Sequence, residues 1–249
     1  AGKHSRWTEA KNHIKESIKI CQKFDNWYLL GQAEYESKDY RLAADAFIEA
    51  RKFAKSDDQI ALAIARYAEV QYARGFSSEA SNILHDAAHL HSKAPAWITD
   101  LALKIDSELT HEPLTAMNLS RALTTLPPKS FHKYQPKFSL RLNFKFDSDE
   151  LINPEAFDAA IVAKALSDSK LLDKDFTLIG HADVQGNESY NQTLSVNRAN
   201  AIKALIMKEN PEIANKINTK GIGESKPLYK GNTAQEHLLN RRVEISVNQ

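Results

Sequence analysis

The chain has 249 residues, 42% of them hydrophobic and 26% charged, and its 33 basic and 32 acidic side chains leave a formal net charge of +1. That balance excludes a disordered chain, and a charge so near zero gives no general electrostatic case for nucleic acid, which asks for a strongly basic face. No apolar run approaches the roughly 18 residues that cross a bilayer, and the N-terminus lacks the basic, apolar, small-residue order of a signal peptide. The expectation is therefore a cytosolic chain or the trimmed form of an exported one, with Ala1-Gly2 as a processing or cloning remnant. The length leaves room for two domains, each with its own core. Cys21 is the single cysteine; it falls in the apolar pattern of the first helix and is expected to act as a small buried hydrophobe.

Residues 5 to about 109 read as helix after helix. Ser5 can cap the first, and Ser56 with Gln59 has the form of a capping box. Trp27, Leu30, Gly31, Tyr35, Ala43, Phe47 and Ala50 align with Ile64, Tyr67, Ala68, Tyr72, Ala80, Leu84 and Ala87, at an offset of 37 in every pair. Large residues meet large and small meet small, as stacked helix pairs require. The stretch "WYLLGQAEYESKDYRLAADAFIEA" resembles a tetratricopeptide repeat, with Trp27, Leu30, Gly31, Ala43, Phe47 and Ala50 at the motif spacing. The second copy lacks the glycine, and the offset exceeds the usual period of about 34; a generic helical bundle is the alternative. Such pairs curve around a groove, and Gln32, Glu34, Glu69 and Gln71 would line or rim it, unless they are only a solvated helix face. In "HDAAHLH", His85 and His89 share a face with His91 close behind; no third ligand at a recognisable spacing follows, and a wet helix face explains them as well.

Pro113, Pro127, Pro128 and Pro136 mark residues 113–136 as a Pro-rich linker between a helical domain (1–112) and a second domain (137–249). Beyond it the grammar changes. "FSLRLNFKF" alternates Phe138, Leu140, Leu142, Phe144 and Phe146 against polar neighbours, a strand with one buried face. Residues 154–166 read as a helix with proline in its first turn, "FTLIG" as a strand, and 188–209 as a long helix with Leu194, Ala201, Ile202 and Leu205 inward. "INTKGIG" and "VEISV" read as the last strands. The predicted fold is an α+β sandwich, with helices on one face of a sheet.

Asp183 lies just past the strand ending at Gly180, where loops build sites on a rigid scaffold. Asn191 and Arg198, seven residues apart, share a face of the following helix with Ser195 between them. One fixed anion beside one fixed cation suits a zwitterion carrying ammonium and carboxylate on one carbon: arginine grips the carboxylate in bidentate fashion, aspartate takes the ammonium. The competing reading is a structural ion pair pinning the loop to the helix. His181 is expected to pack and hydrogen-bond at the strand end rather than meet ligand. No nucleophile set, acid pair or metal cluster accompanies the site, so neither enzyme nor cofactor is expected.

The segments "FKFDS", "IGHADVQGNESYNQTLSVNRA", "KGIGESKP" and "NRRVEI" resemble, in order and spacing, the signature segments of the OmpA C-terminal-like domain, the peptidoglycan-binding module of peptidoglycan-associated lipoproteins. The resemblance implies an α+β sandwich over roughly 137–248. It also implies binding of the meso-diaminopimelate of the wall's stem peptide, with Asp183 on the ammonium and Arg198 on the carboxylate. Asn191 and Leu194 would be helix-side contacts, Phe146 and Asp147 the first-strand rim, and Arg241 a support on the last strand. Two departures stand out: Ala182 where the family usually has threonine, and Glu236-His237 where a Gly-Arg pair is common, neither expected to touch the charge pair. The implied protein is a Gram-negative periplasmic envelope component whose helical domain docks an unidentified envelope protein, with outer-membrane association through a segment absent from this chain. The competing class is an interaction scaffold whose second domain kept the fold and lost wall binding.

Overall fold

A computed structural model describes residues 2–110, 112–124, 136–140, 142, 144–145, 147–154, 157–231 and 233–248. They fall into two compact units that divide between Thr110 and Glu112.

The first unit is built of α1 (Gly2–Ile20), α2 (Phe24–Glu36), α3 (Tyr40–Lys52), α4 (Asp57–Ala73), α5 (Ser77–Leu90) and α6 (Ala96–Leu109). Each helix packs chiefly on its neighbours in sequence. Asp39 caps α3 by accepting from the Leu42 N–H, and Ser56 caps α4 by accepting from Gln59. The Gln59 side chain reaches back to the Lys55 N–H rather than to that of Ser56, so the expected box closes one residue early. Of the aligned positions, Ala43, Phe47, Ala50, Ala68, Ala80, Leu84 and Ala87 are buried. Gly31 explains its own identity, since a Cβ there would lie 2.5 Å from the Phe47 ring. Cys21 corrects the sequence reading: it sits past the end of α1 and is exposed. The Ser5 side chain lies outside the described residues.

The second unit holds α7 (Ala116–Thr124), β1 (Lys137–Leu140), α8 (Ala159–Leu166), β2 (Phe176–Gly180), α9 (Glu188–Glu209), α10 (Pro211–Asn215), β3 (Ile217–Gly221), α11 (Ala234–Asn240) and β4 (Val243–Val247). The sheet order is β1-β4-β2-β3. β4 runs antiparallel to both β1 and β2, and β2 runs parallel to β3. Val243, Ile245, Phe176 and Leu178 meet Val162, Leu166, Ile202 and Ile206 of the helices in one core. Helix α9 comes so close to the strands that a Cβ on Gly180 would strike the Ser195 carbonyl, and one on Gly221 the Ser195 side chain and Val196 backbone. The two glycines therefore set the height of α9 above the sheet.

Three expectations need correction. The expected linker contains α7, whose Leu119 and Leu123 are fully buried in this core. The helix expected from 154 begins at Ala159, because the Asp158 carboxylate caps it by accepting from the Ile161 N–H. Of the first expected strand, Lys137–Leu140 form β1, Leu142 and Phe144 are buried with Phe144 bridging to Leu151, and residues 141, 143 and 146 lie outside the described residues.

Candidate functional site

The end of β2, the start of β4, the first half of α9 and the C-terminal end of α11 converge on one cluster. Asp183 follows β2 and is buried; its Oδ1 accepts from the Gln185 N–H at 3.1 Å and its Oδ2 from Arg241 Nη1 at 2.6 Å. Arg241 is the C-terminal cap of α11, two residues ahead of β4 rather than on it. The Asn191 amide, on the first turns of α9, donates to the carbonyls of Asp183 and Gln185, each at 3.2 Å, and to Glu224 at 2.5 Å. It thereby staples the loop after β2 to the helix.

Arg198 is among the most deeply buried large side chains, at 1% exposure. Its Nε donates to the Ser148 carbonyl at 3.1 Å and its Nη1 to the His181 carbonyl at 3.4 Å, and the guanidinium lies 4.9 Å from the Phe144 ring centroid. No carboxylate lies within ion-pair distance of it among the described residues. Burial, helped by the neighbouring Arg241 charge, lowers its pKa to about 10, while Asp183 acts the other way; it stays cationic at neutral pH. The ion pair weighed against ligand binding, Asp183 with Arg198, does not form: Asp183 pairs with Arg241.

Asp147 sits in the left-handed region (φ 55°), which aspartate tolerates better than most residues. That turn presents the Ser148 carbonyl to Arg198, and the Asp147 carboxylate holds the Tyr190 hydroxyl. Leu194 is buried on α9. Phe146 lies outside the described residues. An open groove of roughly 580 Å³ borders the cluster, lined by Glu188, Gln192, Lys220 and Glu224; Asp183 and Arg198 are not in its wall, and Glu224 is what joins it to Asn191.

Sequence reasoning missed three partners: Ser148, Glu224 and His237. The last is also a correction, because His237 is buried with its Nδ1 4.0 Å from Asp183 Oδ2, so one departure from the family pattern does reach the charge site. Its neighbour Glu236 closes a capping box with Thr233. The other departure, Ala182, is buried and donates its N–H to the Gly223 carbonyl.

His181 packs at the strand end as expected. Its ring is 3.6 Å from Glu244, which Arg242 also pairs at 2.8 Å. Burial, then Arg242, push the imidazole pKa down to about 4. The folded state thus refuses a proton that the unfolded chain accepts near pH 6.5. Stability from this group is intact above about pH 6.5 and falls as pH drops towards 4, by as much as about 3 kcal/mol at 1.36 kcal/mol per unit. Urea midpoints of the second unit should fall between pH 7 and 5, and should fall less in His181→Asn; equal slopes would mean that another group governs the acid limb.

In the helical unit the expected groove changes membership. Glu34 is buried between Lys11 (3.0 Å) and Lys15 (3.2 Å) of α1, which covers that face. Gln71 is buried and accepts from Arg74. Gln32 and Glu69 do line a pocket of about 100 Å³ with Tyr35 and Arg66, and there Arg66 pairs with Glu69 at 2.7 Å and stacks over Trp97. His85 is buried and bonded to Asp106 at 2.8 Å, with Ser81 on the other oxygen of the same carboxylate. His91 faces Asp58 at 3.4 Å.

A comparison with protein families matches residues 143–241 to the OmpA family. Residues 143–241 form an OmpA family domain. Outer membrane porin F of Pseudomonas aeruginosa is 35% identical over 108 residues, 43% of this chain and 31% of that protein. The peptidoglycan-associated lipoprotein of Pseudomonas putida is 32% identical over 102 residues, 41% of this chain and 59% of that protein. Among solved structures, the peptidoglycan-associated lipoprotein of Burkholderia pseudomallei aligns with 43% of this chain and 88% of its own at 19% identity and a TM-score of 0.36. The chain spans about a third of the length of the porin F relatives it matches.

Proposed function

We propose that the OmpA domain binds peptidoglycan non-covalently, taking the diaminopimelate end of the stem peptide at Asp183 and Arg198, and that the helical unit docks a second envelope protein. The observation that carries this reading is Arg198: a guanidinium at 1% exposure, steered by two carbonyl oxygens and met by no carboxylate among the described residues. Burying a charge without a counter-ion is costly, and a ligand carboxylate would supply the missing partner in bidentate form. Asp183, polarised by Arg241 but within the same cluster, is the acceptor for the ligand's ammonium. The names of the porin and lipoprotein relatives agree with a place at the wall and outer membrane.

Sacculus pelleting tests it. The whole chain should co-sediment with diaminopimelate-type sacculi and lose most retention on lysine-type sacculi, whose side chain offers an ammonium and no carboxylate to Arg198. Equal retention on both would place the contact elsewhere. No retention on either would favour the scaffold reading, in which the helical pocket at Gln32, Arg66 and Glu69 is the working surface.

A further inference from the structure

We infer that Glu224 is a positioning residue of the charge site, acting through Asn191 to fix the loop that aims the Asp183 carboxylate at a ligand ammonium; this rests on the wall-binding reading above. A side-chain amide nitrogen carries two hydrogens. That of Asn191 has three oxygens around it: Glu224 at 2.5 Å and the carbonyls of Asp183 and Gln185, each at 3.2 Å. The short, charge-assisted bond to Glu224 takes one hydrogen for itself, and the two carbonyls, equal in distance, share the other. Glu224 thus decides how the amide is turned, and the amide decides where the loop lies. The loop in turn sets the carboxylate, because Asp183 Oδ1 accepts at 3.1 Å from the N–H of Gln185, whose carbonyl Asn191 holds.

Glu224 reaches Asn191 from a fixed base. The residue before it, Gly223, has φ 54°, donates its N–H to Ser195 Oγ at 2.9 Å and accepts at its carbonyl from the Ala182 N–H at 2.9 Å. One turn after β3 is thereby bonded to α9 on one side and to the residue before Asp183 on the other. Asn191 is itself buried, so a hydrogen bond lost there is not simply exchanged for one to water. Glu224 therefore serves the ammonium half of the site, at Asp183, and makes no bond to the carboxylate half, where Arg198 is steered by the carbonyls of Ser148 and His181.

The test is titration of the whole chain, followed by NMR chemical shift, with free meso-diaminopimelate and with pimelate, which has the same carbon chain and carboxylates and no ammonium. The parent should prefer diaminopimelate. Glu224→Ala should cut that preference by about five- to tenfold, the scale of one hydrogen bond. Glu224→Gln, which keeps an acceptor for Asn191 and drops the charge, should cut it less. Asn191→Ala combined with Glu224→Ala should cut it no further than Asn191→Ala alone, because Glu224 acts through that amide. Urea midpoints establish that each variant is folded; should Asn191→Ala fail to fold, the difference between alanine and glutamine at 224 decides. A merely structural glutamate would weaken both ligands alike and leave the preference where it was. A glutamate whose charge drew the ammonium directly from the groove wall would make glutamine as damaging as alanine and would add to Asn191→Ala. Either result overturns the inference while leaving wall binding intact. A parent that binds neither ligand, or both equally, overturns the wall-binding reading and the inference together.

Discussion

Arg198→Lys and Asp183→Asn are each expected to abolish retention on diaminopimelate-type sacculi while the OmpA domain remains folded. Losing one member of a desolvated charged contact costs about 2–5 kcal/mol, at least a thirtyfold loss of affinity. The choice of substitution follows from the packing. Alanine at 198 would leave the Ser148 and His181 carbonyls without their donor and open a void beside Phe144, confusing binding with stability. Lysine keeps the charge and the stem but cannot present a planar fork to a carboxylate. Asparagine at 183 keeps an acceptor for the Gln185 N–H and removes the charge that would hold an ammonium. If both variants pellet like the parent, the ligand does not sit between these side chains.

The second large effect concerns where the OmpA domain starts. A fragment of residues 112–249 is expected to fold alone, and one of residues 137–249 to be destabilised by more than about 4 kcal/mol or to fail to fold. The shorter fragment lacks α7, and with it Leu119 and Leu123 of the core. Removing a buried leucine side chain typically costs about 2–5 kcal/mol, and here two go together with the helix that carries them. Trp7, Trp27 and Trp97, the three tryptophans of the chain, all precede this domain, so both fragments are followed by circular dichroism in urea. Equal midpoints would show that α7 is an appendage.

That boundary illustrates what the sequence hides. Prolines at 113, 127 and 128 read as a connector, but the nine residues Ala116–Thr124 between them suffice for a helix once its leucines find a core. The strands β2, β3 and β4 were legible as short runs carrying β-branched or aromatic residues, and α9 as a long stretch free of proline and glycine. Asp183, Asn191, Arg198 and Arg241 were named as members of the charge site from position relative to those elements and from the family resemblance, whereas Ser148, Glu224 and His237 were not. The pairing within the site was not legible either. Arg241 and Asp183 are separated by 58 positions, and no local pattern says which of two arginines a carboxylate will take. Glu34 failed for a related reason: a glutamate on a helix reads as surface until α1 brings two lysines over it.

The strand register carries a mechanical consequence. Lys137 opens β1 opposite Ser246, and Phe176 opens β2 opposite Val247, so both strands start at one edge of the sheet and end at the other, beside Val243. Asp183 lies three residues beyond the finishing edge. A pull between Lys137 and Asp183 would therefore run along the strands. The bonds between β1, β4 and β2 lie across the strands, so they would share such a load in shear instead of breaking in succession, which is the loading direction suited to a tether.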